Sequence, residues 1–279
     1  MKRVLSVQDI SCVGKCSLTV ALPIISAMGV ETAVVPTAVL STHTAFKNFT
    51  FHDLTNQIEP IAQHWKQEKI GFDAIYTGYL GSFEQIRLVT DFIRDFRTPE
   101  NVVFVDPAMA DNGKLYPGFD QEFADCMATL CGHADVIVPN LSEAAFMLHK
   151  PYLAAGEYNE QDIRDLLKDL TGLGAKIAVL TGVSLEKGKL GVMGYDSVRD
   201  EYFSYYTKHL PVSFHGTGDV FASTCVGAIA LEKPLLEALS IAADYTVDCI
   251  QKTVDDPKPN WYGVNFEQAL AGLIKRLNP

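Results

Sequence analysis

Residues 215–219 read His215-Gly216-Thr217-Gly218-Asp219, and a run of small and apolar residues follows from Val220 to Ala228. Two glycines permit a tight turn and a close backbone approach to a ligand. The residues after them suit a helix, whose first N–H groups and positive dipole end together form an anion site. A carboxylate there is repelled by the anion it adjoins, so Asp219 needs another use. The obvious one is taking a proton from an attacking hydroxyl. The competing reading is local: Thr217 or Asp219 caps the helix and the glycines make the turn. The pentapeptide alone leaves both open.

Two further carboxylate positions, Asp106-Pro107 and Asn140-x-x-Glu143, each follow a short apolar run of strand length. Carboxylates and an amide at neighbouring strand ends can hold magnesium directly or through its waters. Here too a local reading competes, with Asn140 or Ser142 capping a helix and Glu143 in its favourable first turn. Gly14-Lys15 looks like the end of a P-loop, but Cys16 stands where Ser or Thr would meet magnesium and Asp9 where the first glycine belongs. No G-x-G-x-x-G joins the first strand to the first helix, which removes the main support for a dinucleotide-binding dehydrogenase.

The elements that must position these groups alternate from end to end. Apolar runs predict strands at 4–8, 32–39, 74–77, 102–105, 136–138 and 177–181. Helical patterns lie near 16–28, 53–68, 82–96, 118–131, 141–148 and 160–172. After residue 181 the pattern becomes a hairpin, 190–195 with 201–206 and a turn at Asp196-Ser197, followed by helices near 217–231, 234–254 and 264–276. Continuous Val/Ile/Leu strands are buried on both faces, as in a parallel sheet with helices on each side. The expected fold is α/β, a three-layer α/β/α sandwich with a mainly parallel central sheet in one domain, 1–279. Ligands of such sheets sit beyond the carboxyl ends of the strands. The polar segments there are Gln8-Asp9, Ser41 to Thr44, Thr77 to Tyr79, Asp106 to Asp111, Asn140 to Glu143 and Thr181-Gly182.

With 279 residues, 48% of them hydrophobic, the chain is long and apolar enough to fold around its own core. A formal charge of −11 argues against broad binding to nucleic acid or anionic membrane. No apolar run approaches the length of a membrane span, and no secretory signal is expected from the first residues. The six cysteines, at 12, 16, 126, 131, 225 and 249, form no C-x-x-C pair, so reduced buried thiols in a cytoplasmic protein are expected.

Taken together, the segments resemble the ribokinase superfamily and, within it, the pyridoxal kinases. Val4-Leu5-Ser6-Val7-Gln8 with Gly14 is similar to that family's opening strand and loop. Ser41-Thr42-His43-Thr44-Ala45-Phe46 resembles its S-N-H-T-x-[YF] segment, and Thr77-Gly78-Tyr79 its T-G-Y. Asp106-Pro107 with Asp111 resembles D-P-x-x-x-D, Pro139-Asn140-x-x-Glu143 resembles P-N-x-x-E, and residues 216–219 its G-T-G-D. Each motif is weak singly; their order and spacing make the likeness strong over nearly the whole chain.

The resemblance implies transfer of the ATP γ-phosphoryl group to the 5′-hydroxymethyl of pyridoxal, pyridoxine or pyridoxamine. On that reading Asp219 is the base, and the N–H groups of Gly216, Thr217 and Gly218 stabilise the moving phosphoryl group. Asp9, Ser11, His43, Thr44 and Tyr79 line the vitamer site. Asn140, Thr181 and Gly182 join Thr217 and Gly218 at the nucleotide, and Glu143, Asp106 and Asp111 organise Mg2+. ATP and Mg2+ are the implied cofactors, with K+ a further candidate, and a homodimer is the implied assembly. Asp9 departs from the family, whose first strand ends in serine. A carboxylate there could prefer a protonated ring nitrogen or the amine of pyridoxamine. It also gives an aspartate-x-serine like that of the hydroxymethylpyrimidine kinases, which stand as the alternative. A non-catalytic ligand-binding protein on the same scaffold is a third reading.

Overall fold

The computed structural model describes residues 1–277. In chain order the elements are β1 (Arg3–Ser11), α1 (Leu18–Ala27), β2 (Glu31–Leu40), β3 (Phe51–Asp53), α2 (Thr55–Gln67), β4 (Ala74–Thr77), α3 (Phe83–Phe96), β5 (Val102–Val105), β6 (Ala110–Asp111) and β7 (Lys114–Leu115). There follow α4 (Gln121–Cys131), β8 (Val136–Ile137), α5 (Leu141–Met147), α6 (Glu160–Gly172), β9 (Ile177–Val183), β10 (Lys189–Asp196), β11 (Glu201–Lys208), α7 (Thr217–Ala230), α8 (Leu235–Val254), a 3-10 turn (Phe266–Ala269) and α9 (Leu270–Leu277).

These elements form two compact units. The first comprises Met1–Gly78, Thr98–Asn101 and the chain from Leu210 onward. Its strands lie in the order β4-β1-β2-β3, with β1 parallel to both β2 and β4, and β3 antiparallel to β2. Val4, Leu5 and Val7 of β1 are almost wholly buried although they point to alternate faces, the mark of a parallel strand covered on both sides. Helix α7 is buried nearly all round, from Val220 to Ala228, which explains its run of Ala, Ser, Thr, Cys and Gly: only small side chains admit such close neighbours. The position of its N-terminus is therefore set by packing along its whole length.

The second unit, Tyr79–Arg97 with Val102–His209, carries β5, β8 and β9 in parallel, then β10 and β11 antiparallel. The fold class is the expected one, α/β with mainly parallel strands. The differences are local. β1 runs on to Ser11, so Asp9 and Ser11 belong to the strand rather than to the loop after it. β9 likewise includes Thr181 and Gly182. The hairpin turn falls after Asp196, whose Oδ1 accepts the N–H groups of Val198 and Arg199. The two-residue strands β6 and β7 are too short for any periodic signal. All six cysteines are free thiols, but only Cys131, Cys225 and Cys249 are buried, and Cys12 is exposed.

Candidate active site

In the first unit the chain enters α7 through Gly216, which takes the N-cap position at φ +80°. A Cβ at this position would stand 2.0 Å from the carbonyl oxygen of Lys15, so only glycine fits both the angle and the space. No side chain caps α7. Thr217 turns its hydroxyl back to donate to the Phe214 carbonyl at 3.2 Å. The local reading, with Thr217 or Asp219 as the N-cap residue, is thus not the observed arrangement: Asp219 lies two residues into the helix.

Burial pushes the pKa of the Asp219 carboxyl up to about 7; the neighbouring backbone at Ser17 and Asp219 works against the shift, and the nearby Asp9 adds to it. A carboxyl with a pKa near neutrality is matched to the work of a general base. Asp9 is buried, 4% exposed, with both oxygens engaged: Ser11 Oγ donates to Oδ2 at 3.0 Å and Ser17 Oγ to Oδ1 at 2.5 Å. Burial raises its pKa against the effect of these hydroxyls. The Cys16 thiol, flanked by the same two carboxylates, is pushed up to about 12, chiefly by burial, and stays protonated.

Ser17 pays for this arrangement twice. It stands at φ 51°, ψ −136°, a conformation that side chains rarely adopt, at a cost on the order of 1–3 kcal/mol. It also precedes α1 without capping it, forgoing roughly 1 kcal/mol. Nothing in the sequence around Ser17 signalled either feature.

His43 is buried, and both ring nitrogens are taken. Its Nε2 lies 3.0 Å from the Tyr262 carbonyl, which can only accept, so that nitrogen carries the proton; Nδ1 accepts the Ala45 N–H at 3.1 Å. Gly14 leaves the room this ring needs, since a Cβ there would lie 2.5 Å from His43 Cδ2. The ring also packs against Phe46, His215 and Trp261. His43 therefore holds its loop, and only ring faces and edges remain for a ligand. Thr44 is exposed beside it. Lys15 is tied to Asn265 Oδ1 at 3.1 Å and Glu267 Oε2 at 2.9 Å instead of being offered to an anion.

In the second unit, Asn140 and Glu143 form a capping box at the start of α5. Asn140 Oδ1 accepts the N–H groups of Ser142 and Glu143 at 2.8 and 3.0 Å, and Glu143 Oε2 accepts the Asn140 N–H at 2.7 Å. The same two side chains hold the segment after β5, Asn140 Nδ2 donating to the Ala110 carbonyl and Glu143 Oε1 accepting the Met109 N–H. Glu143 is fully enclosed; burial raises its pKa well above the usual carboxylate range, and the charge of Asp106 raises it further. Asp111 does not join this pair. It sits exposed on the β6–β7 hairpin, accepting from Asn112. Among the described residues no three His, Cys, Asp or Glu side chains are grouped to ligate a metal, so the three expected metal carboxylates are not one cluster. Thr181 pairs with Asn140 across an isolated parallel bridge, and the adjacent Gly182 is exposed with open space on its Cα. Tyr79 is half-buried and stacked on Phe119 at 5.7 Å.

The model of the phosphomethylpyrimidine kinase family matches residues 21–260. A presumptive phosphomethylpyrimidine kinase of Bacteroides thetaiotaomicron, crystallised with pyridoxal, is 38% identical and superposes with a TM-score of 0.92 over 98% of this chain and 95% of its own. Pyridoxal kinase from Lactobacillus plantarum is 29% identical, with a TM-score of 0.90 over 99% and 97% of the two chains. The pyridoxal kinase PdxY of Rubrobacter xylanophilus is 24% identical over 90% of this chain and 87% of its own. The match spans both units, and the chain belongs to the phosphomethylpyrimidine kinase family, within the ribokinase superfamily to which its motifs pointed.

Proposed function

We infer that the chain is an ATP-dependent kinase of vitamin B6, phosphorylating the 5′-hydroxymethyl group of pyridoxal, pyridoxine or pyridoxamine. The observation that carries this reading is the Asp219 carboxyl, poised at about 7 beside the uncapped N-terminus of α7. The named relatives support it through the reaction they share. The acceptor oxygen attacks the γ-phosphorus, the bond to the β–γ bridging oxygen breaks, ADP departs, and the acceptor proton passes to Asp219. The N–H groups of Gly216, Thr217 and Gly218 face the charge that moves with the phosphoryl group. Phosphoryl transfer asks mainly for alignment and charge stabilisation, so this equipment is sufficient.

In this reading Ser11, Thr44, Tyr79 and the ring of His43 serve the vitamer, while Asn140, Thr181 and Gly182 serve the nucleotide. Glu143 and Asp106 suit a magnesium ion held through its waters: two adjacent carboxylates, each disfavouring the other's charge, are relieved by a cation. Magnesium, when bound, neutralises phosphate charge. Asp111 stands apart from this pair, and K+ is carried in this reading as a further candidate. The reading treats both units as one kinase domain, working as a cytoplasmic homodimer; no described helix is long and apolar enough to cross a membrane.

Glu143→Gln removes the charge and keeps the capping box, at the loss of the longer bond from the Met109 N–H, which an amide NH2 cannot accept. Its expected thermal midpoint is within a few degrees of wild type, while turnover falls about 10–100-fold and more Mg2+ is needed for half-maximal rate. Unchanged Mg2+ dependence would confine Glu143 to capping.

The family match and Asp9 favour a second reading, a hydroxymethylpyrimidine kinase, with the same chemistry on another ring. ATP consumption measured with the three B6 vitamers and hydroxymethylpyrimidine decides between them. The expected result is a higher kcat/KM for at least one vitamer. A preference for the pyrimidine selects the alternative, and no turnover with any alcohol leaves a ligand-binding protein.

A further inference from the structure

Gly14-Lys15 imitates the end of a P-loop, yet its lysine is engaged within the protein. The ammonium donates to Asn265 Oδ1 at 3.1 Å and to Glu267 Oε2 at 2.9 Å. The side chain is only 15% exposed, and its Nζ lies 5.8 Å from the centre of the Phe266 ring. This anchor is itself fixed. Asn265 donates its Nδ2 to Asp256 Oδ2 at 2.9 Å and its backbone N–H to the buried Thr253 Oγ1 at 2.8 Å, while the Tyr245 hydroxyl donates to the Phe266 carbonyl at 2.9 Å. Tyr245 and Thr253 are buried residues of α8, so the anchor belongs to the packed body of the first unit.

The loop that carries the lysine has little else to hold it. Lys15 and Ser17 stand at φ 53° and 51°, angles that residues other than glycine rarely adopt. No backbone-to-backbone hydrogen bond involves Gly14, Lys15 or Cys16 among the described residues. Such conformations persist only where the surrounding structure imposes them. The same loop borders the start of α7: the Lys15 carbonyl is the group that would stand 2.0 Å from a Cβ on Gly216. On the anchor's side, a Cβ on Gly263 would lie 2.6 Å from Lys15 Cβ, so the lysine stem runs directly over the Gly263 backbone. Resting on the kinase reading above, we propose that Lys15 is a positioning residue for the anion site at the N-terminus of α7. Its tether to Asn265 and Glu267 holds the Lys15 carbonyl against Gly216, and so fixes the N–H groups of Gly216, Thr217 and Gly218 where the phosphoryl group passes. The ammonium acts through its own backbone and does not meet the nucleotide.

The test compares Lys15→Met, Lys15→Arg, Glu267→Ala and the double variant of Lys15→Met with Glu267→Ala. Methionine keeps a stem over Gly263 and loses the ammonium. It is expected to lower kcat about 10–100-fold, as a misplaced group does, with KM for ATP within about twofold of wild type. Arginine can still donate to both oxygens and is expected to recover kcat to within about threefold. Glu267→Ala, at an exposed carboxylate that carries the test should methionine compromise folding, is expected to lower kcat about three- to tenfold, but less than about twofold once Lys15 is replaced. A lysine serving the phosphates directly would behave otherwise. Lys15→Met would then raise KM for ATP, and Glu267→Ala, by freeing the ammonium, would not slow the enzyme. Either result overturns the proposal, as does a Glu267→Ala loss of equal size in both backgrounds. Ligand-free crystal structures of wild type and Lys15→Met supply a readout that needs no substrate: the Lys15 carbonyl is expected to withdraw from Gly216, and an unchanged contact overturns the tether. If wild type phosphorylates no B6 vitamer the kinase reading fails, but that contact still decides the tether.

Discussion

Asp219→Asn is expected to lower kcat by about 10³–10⁴-fold while leaving ATP binding intact, at the upper end of what a positioned base contributes. Asparagine keeps the size of the side chain and one acceptor oxygen, so the loss reports proton transfer rather than a displaced loop. ATP titration by calorimetry and single-turnover assays check the two halves of the claim. The pH dependence follows from the same group. Only the deprotonated carboxylate can accept a proton, so wild-type kcat/KM is expected to rise with pH and level off above about 7. An acid limb nearer the ordinary aspartate value, about 4, would remove Asp219 as the titrating base.

Stability changes in the opposite sense. Folding raises the pKa of Asp219 above its unfolded value, so the folded chain holds that proton more tightly. The resulting stabilisation is fully present below about pH 4 and is lost as pH rises through about 7. Asp219→Asn removes this dependence. The variant is therefore expected to be more stable than wild type at pH 8, on the order of 1–2 kcal/mol once partial solvation is allowed for, with the gap closing toward pH 5. Urea unfolding at both pH values measures it. A less active but more stable variant is the usual signature of a strained catalytic position.

The second large effect is expected at Gly216. Alanine there meets a backbone carbonyl at 2.0 Å and must adopt φ +80°. The left-handed angle alone costs about 1–2 kcal/mol, and relieving the overlap must move either the 212–216 loop or the Lys15 turn. Displaced donors at the α7 terminus are expected to cost a further 10²–10³-fold in kcat, the usual loss for one missing oxyanion donor. Gly218→Ala is the matched comparison, because open space surrounds its Cα and its φ is not positive. Thermal melts are expected to show a lowered midpoint for Gly216→Ala and an unchanged one for Gly218→Ala. Equal midpoints would mean that the turn relaxes at no cost.

Much of this protein follows from local rules that its sequence states openly. Parallel strands declare themselves as continuous apolar runs, α7 as small residues after a glycine turn, and the box of Asn140 and Glu143 by its spacing. Those interactions span a few residues, so composition and period are enough to specify them. Tertiary structure alone decided the rest. Ser17 stands at positive φ and gives its hydroxyl to Asp9, eight positions away in the chain, instead of to its own helix. His43 has its nitrogens consumed by Ala45 and by the distant Tyr262. Asp111 shares a motif with Asp106 yet is carried away from Glu143 by a hairpin too short to leave a periodic trace. A side chain's chemistry is set by what surrounds it, and those surroundings exist only once segments remote in sequence have packed together.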